Sequence, residues 1–244
     1  VKEGDSIGWA VRSTTRHTIT LFTTQGSAYT LRVDTIPATT GYGEPVQKYF
    51  TFADGERVVG VVSHDPRNLP AGPQQAVLPL GDEPPPPYFV GVSTGGKVVR
   101  LPVAMMVEPS NRNGRYFMKL EEGTDKVIAA YVSDGEDHVC LASTQGNVLA
   151  FPASEIPVLR GAGKGVMAMK LREDDTVFAY ELHREANTGP SVLTQLGREE
   201  VVTAKKFGGA RASRGSQLFR RGYFAVWKRP PLISLGKAGG EGEV

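Results

Sequence analysis

An apolar run, a tight turn and a second apolar run recur four times in this chain, at Ile19–Tyr29, Val90–Val98, Val139–Phe151 and Val192–Arg198. In the clearest copy, Val139 to Ser143 reads as a strand covered on both faces. Gln145-Gly146 is the turn, with Gly146 supplying the positive φ of a two-residue hairpin loop, and Asn147 to Phe151 is the return strand. Seventy residues separate Gly26 from Gly96, then 50 lead to Gly146 and 51 to Gly197. The long first interval holds an extra segment, 65–87, with eight prolines ending in Pro84-Pro85-Pro86-Pro87. Proline cannot donate to a ladder, so this segment is expected to be a surface excursion. Without it the period is uniform, as in a propeller-like array or a β-solenoid.

Each unit carries further parts in fixed order. The return strand ends at a proline corner: Ile36-Pro37, Leu101-Pro102, Phe151-Pro152. A glycine-rich basic loop follows at Asn111–Arg115, Arg160–Gly165 and Gly208–Gly215. An acidic turn comes next, at Asp54-Gly55-Glu56, Glu121–Asp125 and Glu173-Asp174-Asp175, and leads into an outgoing apolar strand. In the last unit Arg220-Arg221-Gly222 stands where the acids should be. Val1 to Ile7 matches only an acidic turn and the start of a strand, a half-unit expected either to pair with the last unit and close a ring or to be the tail of an extra blade. The residues to 235 are expected to form one domain, and 236–244, with little to bury, a flexible tail.

Other chemistries find little support. Cys140 is the sole cysteine and lies within an apolar strand, so no intramolecular disulfide forms, as suits a reducing compartment. His17, His64, His138 and His183 lack ligand spacing for zinc, and the acidic turns lack the alternation of calcium loops; neither a metal nor a cofactor is expected. No apolar run reaches membrane-spanning length, and no nucleophile motif or phosphate loop is recognisable. The chain opens on Val1 rather than Met, as a piece of a longer protein would.

Turn, proline corner, basic glycine loop and acidic turn, in that order and period, resemble the C-terminal domain of type IIA topoisomerase A subunits, the gyrase A and topoisomerase IV (ParC) family. The likeness is strongest over Leu141 to Leu171 and extends weakly from about residue 1 to about 230. It implies an all-β β-pinwheel, a propeller-like disc of blades of about 50 residues that exchange strands; four units plus the half-unit give four or five blades. It also implies a domain that is not itself an enzyme and that binds and bends double-stranded DNA around a basic rim. The expected partners are the N-terminal catalytic part of the same subunit, together with the ATPase subunit, in a cytoplasmic, nucleoid-associated complex. Gyrase A carries a Gln-Arg-Arg-Gly-Gly-Lys-Gly box in its first blade. Here the first loop reads Gly41-Tyr42-Gly43-Glu44, and the nearest box is Leu159–Gly165 in the third unit, which resembles ParC or a divergent domain more than a full gyrase wrapper.

A net charge of +2 does not announce a nucleic-acid binder. Position decides, because affinity for duplex DNA comes from cations placed along a phosphate track. Arg112, Arg115, Arg160, Lys164, Arg211 and Arg214 fall in equivalent loops, and Arg220 and Arg221 extend the basic last unit; these eight are the candidate DNA contacts. The loop glycines are expected to bring backbone N–H groups close to phosphate. Tyr42 and Tyr116 are expected to pack between blades, and Trp9 and Trp227 to be core or blade-edge residues. A protein-interaction propeller is the alternative: His138 to Gly146 also resembles the regulator of chromosome condensation repeat. That family follows its hairpin with an aromatic-glycine pair, which Ala150-Phe151-Pro152 lacks, and has no place for the basic loops.

Overall fold

A computed structural model describes residues 3–70, 83–121, 123–229 and 231–234. Each repeat becomes a blade, and every turn glycine of the sequence pattern closes its hairpin with positive φ: Gly26 75°, Gly96 75°, Gly146 87° and Gly197 78°. In blade 1 the strands lie in the order Val58–Ser63, Thr18–Thr23, Ser27–Arg32, Arg115–Tyr116. Blade 2 repeats this with Val127–Ser133, Tyr88–Ser93, Lys97–Pro102 and Val166–Met167. Blade 3 uses Val177–His183, His138–Ser143, Asn147–Pro152 and Ser216–Gln217. The outermost strand of each therefore comes from the basic-loop region of the following unit. This exchange distinguishes a β-pinwheel from a plain propeller. Among the described residues blade 4 has three strands, Phe224–Lys228, Ser191–Thr194 and Glu199–Val201.

The outgoing strands stand side by side at the centre, blade 1 against 2, 2 against 3 and 3 against 4. Each shifts register by one bulge opposite its hairpin turn, at Phe22/Thr23, Val92/Ser93, Val177/Ala179 and Leu193/Thr194. A repeated bulge adds local twist to each blade at the same level. The core runs between the blades. Val90, Val92, Ala129, Val139, Leu141 and Tyr180 are wholly buried in one cluster, and Phe22, Phe89 and Phe117 meet in another.

The expected ring closure takes a different form. Trp9–Val11 does not add to blade 4; it pairs in parallel with Leu232–Ser234, a separate two-stranded sheet joining both ends of the chain. At the centre, Arg229 stacks on Trp9, Tyr131 and Trp227 with its guanidinium carbon 5.6, 5.5 and 5.0 Å from the ring centroids. Its Nη2 also donates to the Val59 carbonyl at 3.0 Å. The two tryptophans thus serve the hub.

The described ends of the 65–87 segment are anchored. Asp65 is buried and accepts from Arg67, whose guanidinium holds the carboxyl well below the usual range. Glu83 pairs with the buried Arg100 at 2.6 Å. Positions 71–82 and the tail 235–244 lie outside the described residues. Among the described residues no helix is long and apolar enough to cross a membrane.

Candidate nucleic-acid interface

The strand exchange builds the basic loops into seams. Three short segments carry it: Arg115-Tyr116-Phe117-Met118-Lys119, Val166-Met167-Ala168-Met169-Lys170 and Ser216-Gln217-Leu218-Phe219-Arg220. The first two residues pair with the preceding blade's return strand. The third then donates its N–H to the carbonyl of the turn glycine there: Phe117 to Gly26 at 2.9 Å, Ala168 to Gly96 at 2.8 Å, Leu218 to Gly146 at 3.0 Å. Phe117 packs edge-on against both Phe22 and Phe89, ring centroids 5.0 and 5.7 Å away, and those two rings stand 4.6 Å apart.

This geometry gives the loop glycines a purpose other than close approach to phosphate. Gly114, Gly165 and Gly215 have φ of 66°, 71° and 67°. A Cβ there would stand 2.8, 2.3 and 2.1 Å from the carbonyl oxygens of Ala28, Val98 and Val148. No side chain fits between loop and preceding blade, so these glycines serve the seam.

The last residue of each segment sets the charge pattern. Lys119 N donates to Gly163 O and Lys170 N to Ser213 O, both at 2.9 Å; in the first unit Thr51 N donates likewise to Arg112 O at 2.8 Å. The main chain thus places Lys119 against the loop carrying Arg160 and Lys164, and Lys170 against the loop carrying Arg211 and Arg214. Arg220 occupies the equivalent place in the last unit. Arg112, Lys119, Arg160, Lys164, Lys170, Arg214, Arg220 and Arg221 are all exposed. Lys119 and Lys170 are not among the cations that the loop pattern singles out. The signal that finds them is spacing, because they precede Arg220 by two repeat lengths and one.

Arg115 and Arg211 sit differently. Both are half-buried with guanidiniums committed to backbone carbonyls: Arg115 to Glu108 at 2.7 Å and Pro109 at 3.1 Å, Arg211 to Met167 at 2.7 Å and Glu155 at 3.1 Å. They hold the loops that present the other cations. The two tyrosines expected between blades are on the surface, Tyr42 77% and Tyr116 64% exposed. Alternation along the exchanged strand turns Tyr116 outward, and its neighbour Phe117 is the inserted aromatic.

The acids face another task. Asp125 Oδ1 accepts from Gly95 N at 2.7 Å and Thr94 Oγ1 at 2.9 Å. Asp175 accepts from Gln145 N at 3.0 Å and Asn147 Nδ2 at 3.2 Å, and Glu56 from Thr23 Oγ1 at 2.5 Å. Each carboxylate latches its own blade's hairpin turn. The acids are therefore held at the turns while the cations stand in the seam loops, so a nearly neutral chain separates its two charges by place in the repeat. Among the described residues no cluster of three or more His, Cys, Asp or Glu is arranged to hold a metal.

A family model described as DNA gyrase C-terminal domain, beta-propeller, matches residues 17–65, 87–134 and 137–179. The A subunit of DNA gyrase from Pseudomonas aeruginosa is 25% identical over 251 residues, covering 91% of this chain and 26% of that protein. The A subunit of DNA topoisomerase 4 from Caulobacter vibrioides is 26% identical over 230 residues, covering 93% of this chain and 26% of that protein. The chain thus spans about a quarter of the length of these relatives. Among solved structures, the C-terminal domain of DNA topoisomerase IV superposes with a TM-score of 0.71 at 19% identity, covering 87% of this chain and 63% of that one. The E. coli ParC C-terminal domain gives 0.67 at 18%, covering 93% and 91%.

Proposed function

The chain belongs to the DNA gyrase C-terminal domain family of β-propellers, and on that premise we propose that it binds and bends duplex DNA without reading base sequence, as a non-catalytic part of a type IIA topoisomerase. The observation that supports this best is the pairing of cations at the seams. At two successive blade boundaries, a lysine from one unit is hydrogen-bonded by its backbone to the basic loop of the next. With that pairing repeated from blade to blade, clusters of positive charge would follow one edge, as suits a phosphate backbone laid along the disc.

Arg112, Lys119, Arg160, Lys164, Lys170, Arg214, Arg220 and Arg221 make the phosphate contacts in this reading, with Arg115 and Arg211 as loop-positioning residues. Contacts of this type position the duplex and read its flexibility rather than its base edges. The partners are double-stranded DNA, the catalytic N-terminal part of the same polypeptide, and the ATPase subunit.

Sealing nicked circular DNA in the presence of the protein, at low and high salt, tests the reading. The expected result is a linking-number change that disappears at high salt, with equal affinity for unrelated duplex sequences. An unchanged linking number alongside tight binding refutes bending, and affinity that follows base sequence refutes the backbone reading.

A further inference from the structure

We propose that the turn of blade 4 is a docking site for an extended, acidic and apolar segment of a partner protein. Blades 1 to 3 are each completed by the unit that follows. An exchanged pair of residues adds to the return strand, and the turn glycine is covered: a Cβ on Gly26 would lie 2.2 Å from Met118 O, on Gly96 2.7 Å from Met169 O, and on Gly146 2.4 Å from the Phe219 ring. Blade 4 has the same turn, with Gly197 N donating to Thr194 O at 2.9 Å. Yet among the described residues nothing lies within 4 Å of a Cβ on Gly197, and no strand flanks Glu199–Val201 on its outer side. The preceding residue, Leu196, is 88% exposed.

The second observation concerns the latch. In blades 2 and 3 the amide before the turn glycine, Gly95 or Gln145, donates to Asp125 or Asp175. The next backbone bond fixes the register: Thr94 N to Lys126 O, Thr144 N to Thr176 O and, in blade 4, Gln195 N to Tyr223 O. Gly222 therefore occupies the place of the latching aspartates. Among the described residues no carboxylate accepts from the Leu196 N–H. The seat that a carboxylate fills in blades 2 and 3 is built here, and its own acid is missing.

A cavity of about 260 Å³ opens at this point, with Leu196, Phe219, Tyr223 and Phe224 supplying its apolar wall and Arg198 and Arg221 beside them. The nearby carboxylates already have partners, Glu199 with Lys228 at 3.0 Å and Glu200 with Lys206 and, at 3.9 Å, with Arg198, so Arg198, Lys206 and Arg221 outnumber the one acid on the lining. The local field favours an anion. The three completed blades define how the occupant lies: main chain along the return strand, one apolar side chain over the turn, one carboxylate on the Leu196 amide. DNA supplies charge but nothing for the apolar wall, so the complementary ligand is a protein strand. The site shares Arg221 with the basic-rim reading, but Leu196 and Arg198 belong to no proposed phosphate contact, so variants at these two positions separate the two readings.

The test uses the full chain and a short labelled peptide alternating aspartate with leucine and valine, with an oligo-aspartate of equal length as control. The mixed peptide is expected to bind at least about tenfold tighter than the control, and Leu196→Asp and Arg198→Glu each to remove that advantage. Thermal melting and duplex-DNA affinity, measured on the same variants, are expected to stay at the parent values. Equal affinity for the two peptides overturns the proposal, as does full retention of mixed-peptide binding by both variants. A tenfold gain in peptide affinity on removing residues 235–244 would assign the site to the chain's own end and overturn the partner assignment.

Discussion

Replacing Lys119 and Lys170 together with alanine tests the seam geometry most directly. Both side chains are exposed, and both backbones are hydrogen-bonded to the following unit's basic loop. Alanine keeps those main-chain bonds and removes only the charge. Each phosphate contact contributes ~0.9 to the slope of log affinity against log salt, so the double variant should lose about 1.8 from that slope. At a salt concentration of about 0.1 M this corresponds to roughly a 60-fold loss of affinity, about 2.4 kcal/mol. Lys126→Ala is the control, since Lys126 is exposed on an acidic turn that latches a hairpin. Fluorescence anisotropy over a salt series, with two unrelated duplexes, gives the slopes, and urea unfolding checks that the variants stay folded. An unchanged slope in the double variant, or an equal fall in the Lys126 variant, refutes the placement of these lysines on the DNA track.

Three further outcomes concern the blades themselves. Phe117→Ala leaves a cavity beside the Phe22–Phe89 pair, so urea unfolding should show a loss of ~3–5 kcal/mol; a loss under about 1 kcal/mol would mean that the exchanged strand does not bind the blades together. Asp175→Ala leaves the Gln145 N–H without its acceptor and the Asn147 amide with Ser143 Oγ alone, and should cost about 1–3 kcal/mol in the same measurement, with little effect on the salt slope of DNA binding. His64 is buried, its Nε2 within 2.7 Å of Thr20 Oγ1 and its Nδ1 without a partner among the described residues; burial first, and then the nearby His17, push its pKa down to about 4 from 6.5. The unfolded chain therefore binds the proton more readily, so stability is full above about pH 6.5 and falls as pH drops toward 4, by up to about 3 kcal/mol. Denaturant unfolding from pH 7 to pH 4 should show that slope, and His64→Gln should flatten it.

The repeat is legible in the sequence because the period-two pattern and the turn glycines are local, and four copies reinforce one another. Strand exchange is not legible from the residues themselves. Arg115–Tyr116 pairs with Ser27–Ala28 across more than eighty positions, and two residues leave no periodic trace. The basic loops are visible as composition, but composition does not separate Arg112, which is exposed, from Arg115, which caps carbonyls left open after the short turn Val103–Met106. Lys119 and Lys170 stand outside the glycine-rich stretches, and each follows an apolar pair that reads as core. The open turn of blade 4 is half visible, since Arg220-Arg221-Gly222 breaks the acidic pattern. Its meaning needs the register of Gln195 on Tyr223.

The four joints of the disc are unequal, and that inequality follows from how they are made. Three are sewn by main-chain exchange, each with an inserted apolar pair over a turn glycine. The fourth joins the last blade to the first through a three-residue parallel pair, its flanking bonds Leu232 N to Gly8 O and Arg12 N to Ser234 O, and through Arg229. That guanidinium touches Trp9, Tyr131, Trp227 and the Val59 carbonyl, so one side chain ties the amino-terminal strand to blades 1, 2 and 4. Stacking of this kind is worth about 0.5–2 kcal/mol per ring when partly desolvated, so its three rings together match the burial of one inserted Phe117. All of it rests on one side chain, whereas each sewn seam adds main-chain exchange to its apolar pair, and local opening is expected first at the fourth joint. The three sewn seams lie between blades 1 and 4, on the arc that carries the paired cations. If a duplex lies along that arc as proposed, its curvature is held by exchanged strands, and adjustment of the disc is expected opposite it, where Arg229 is the restraint.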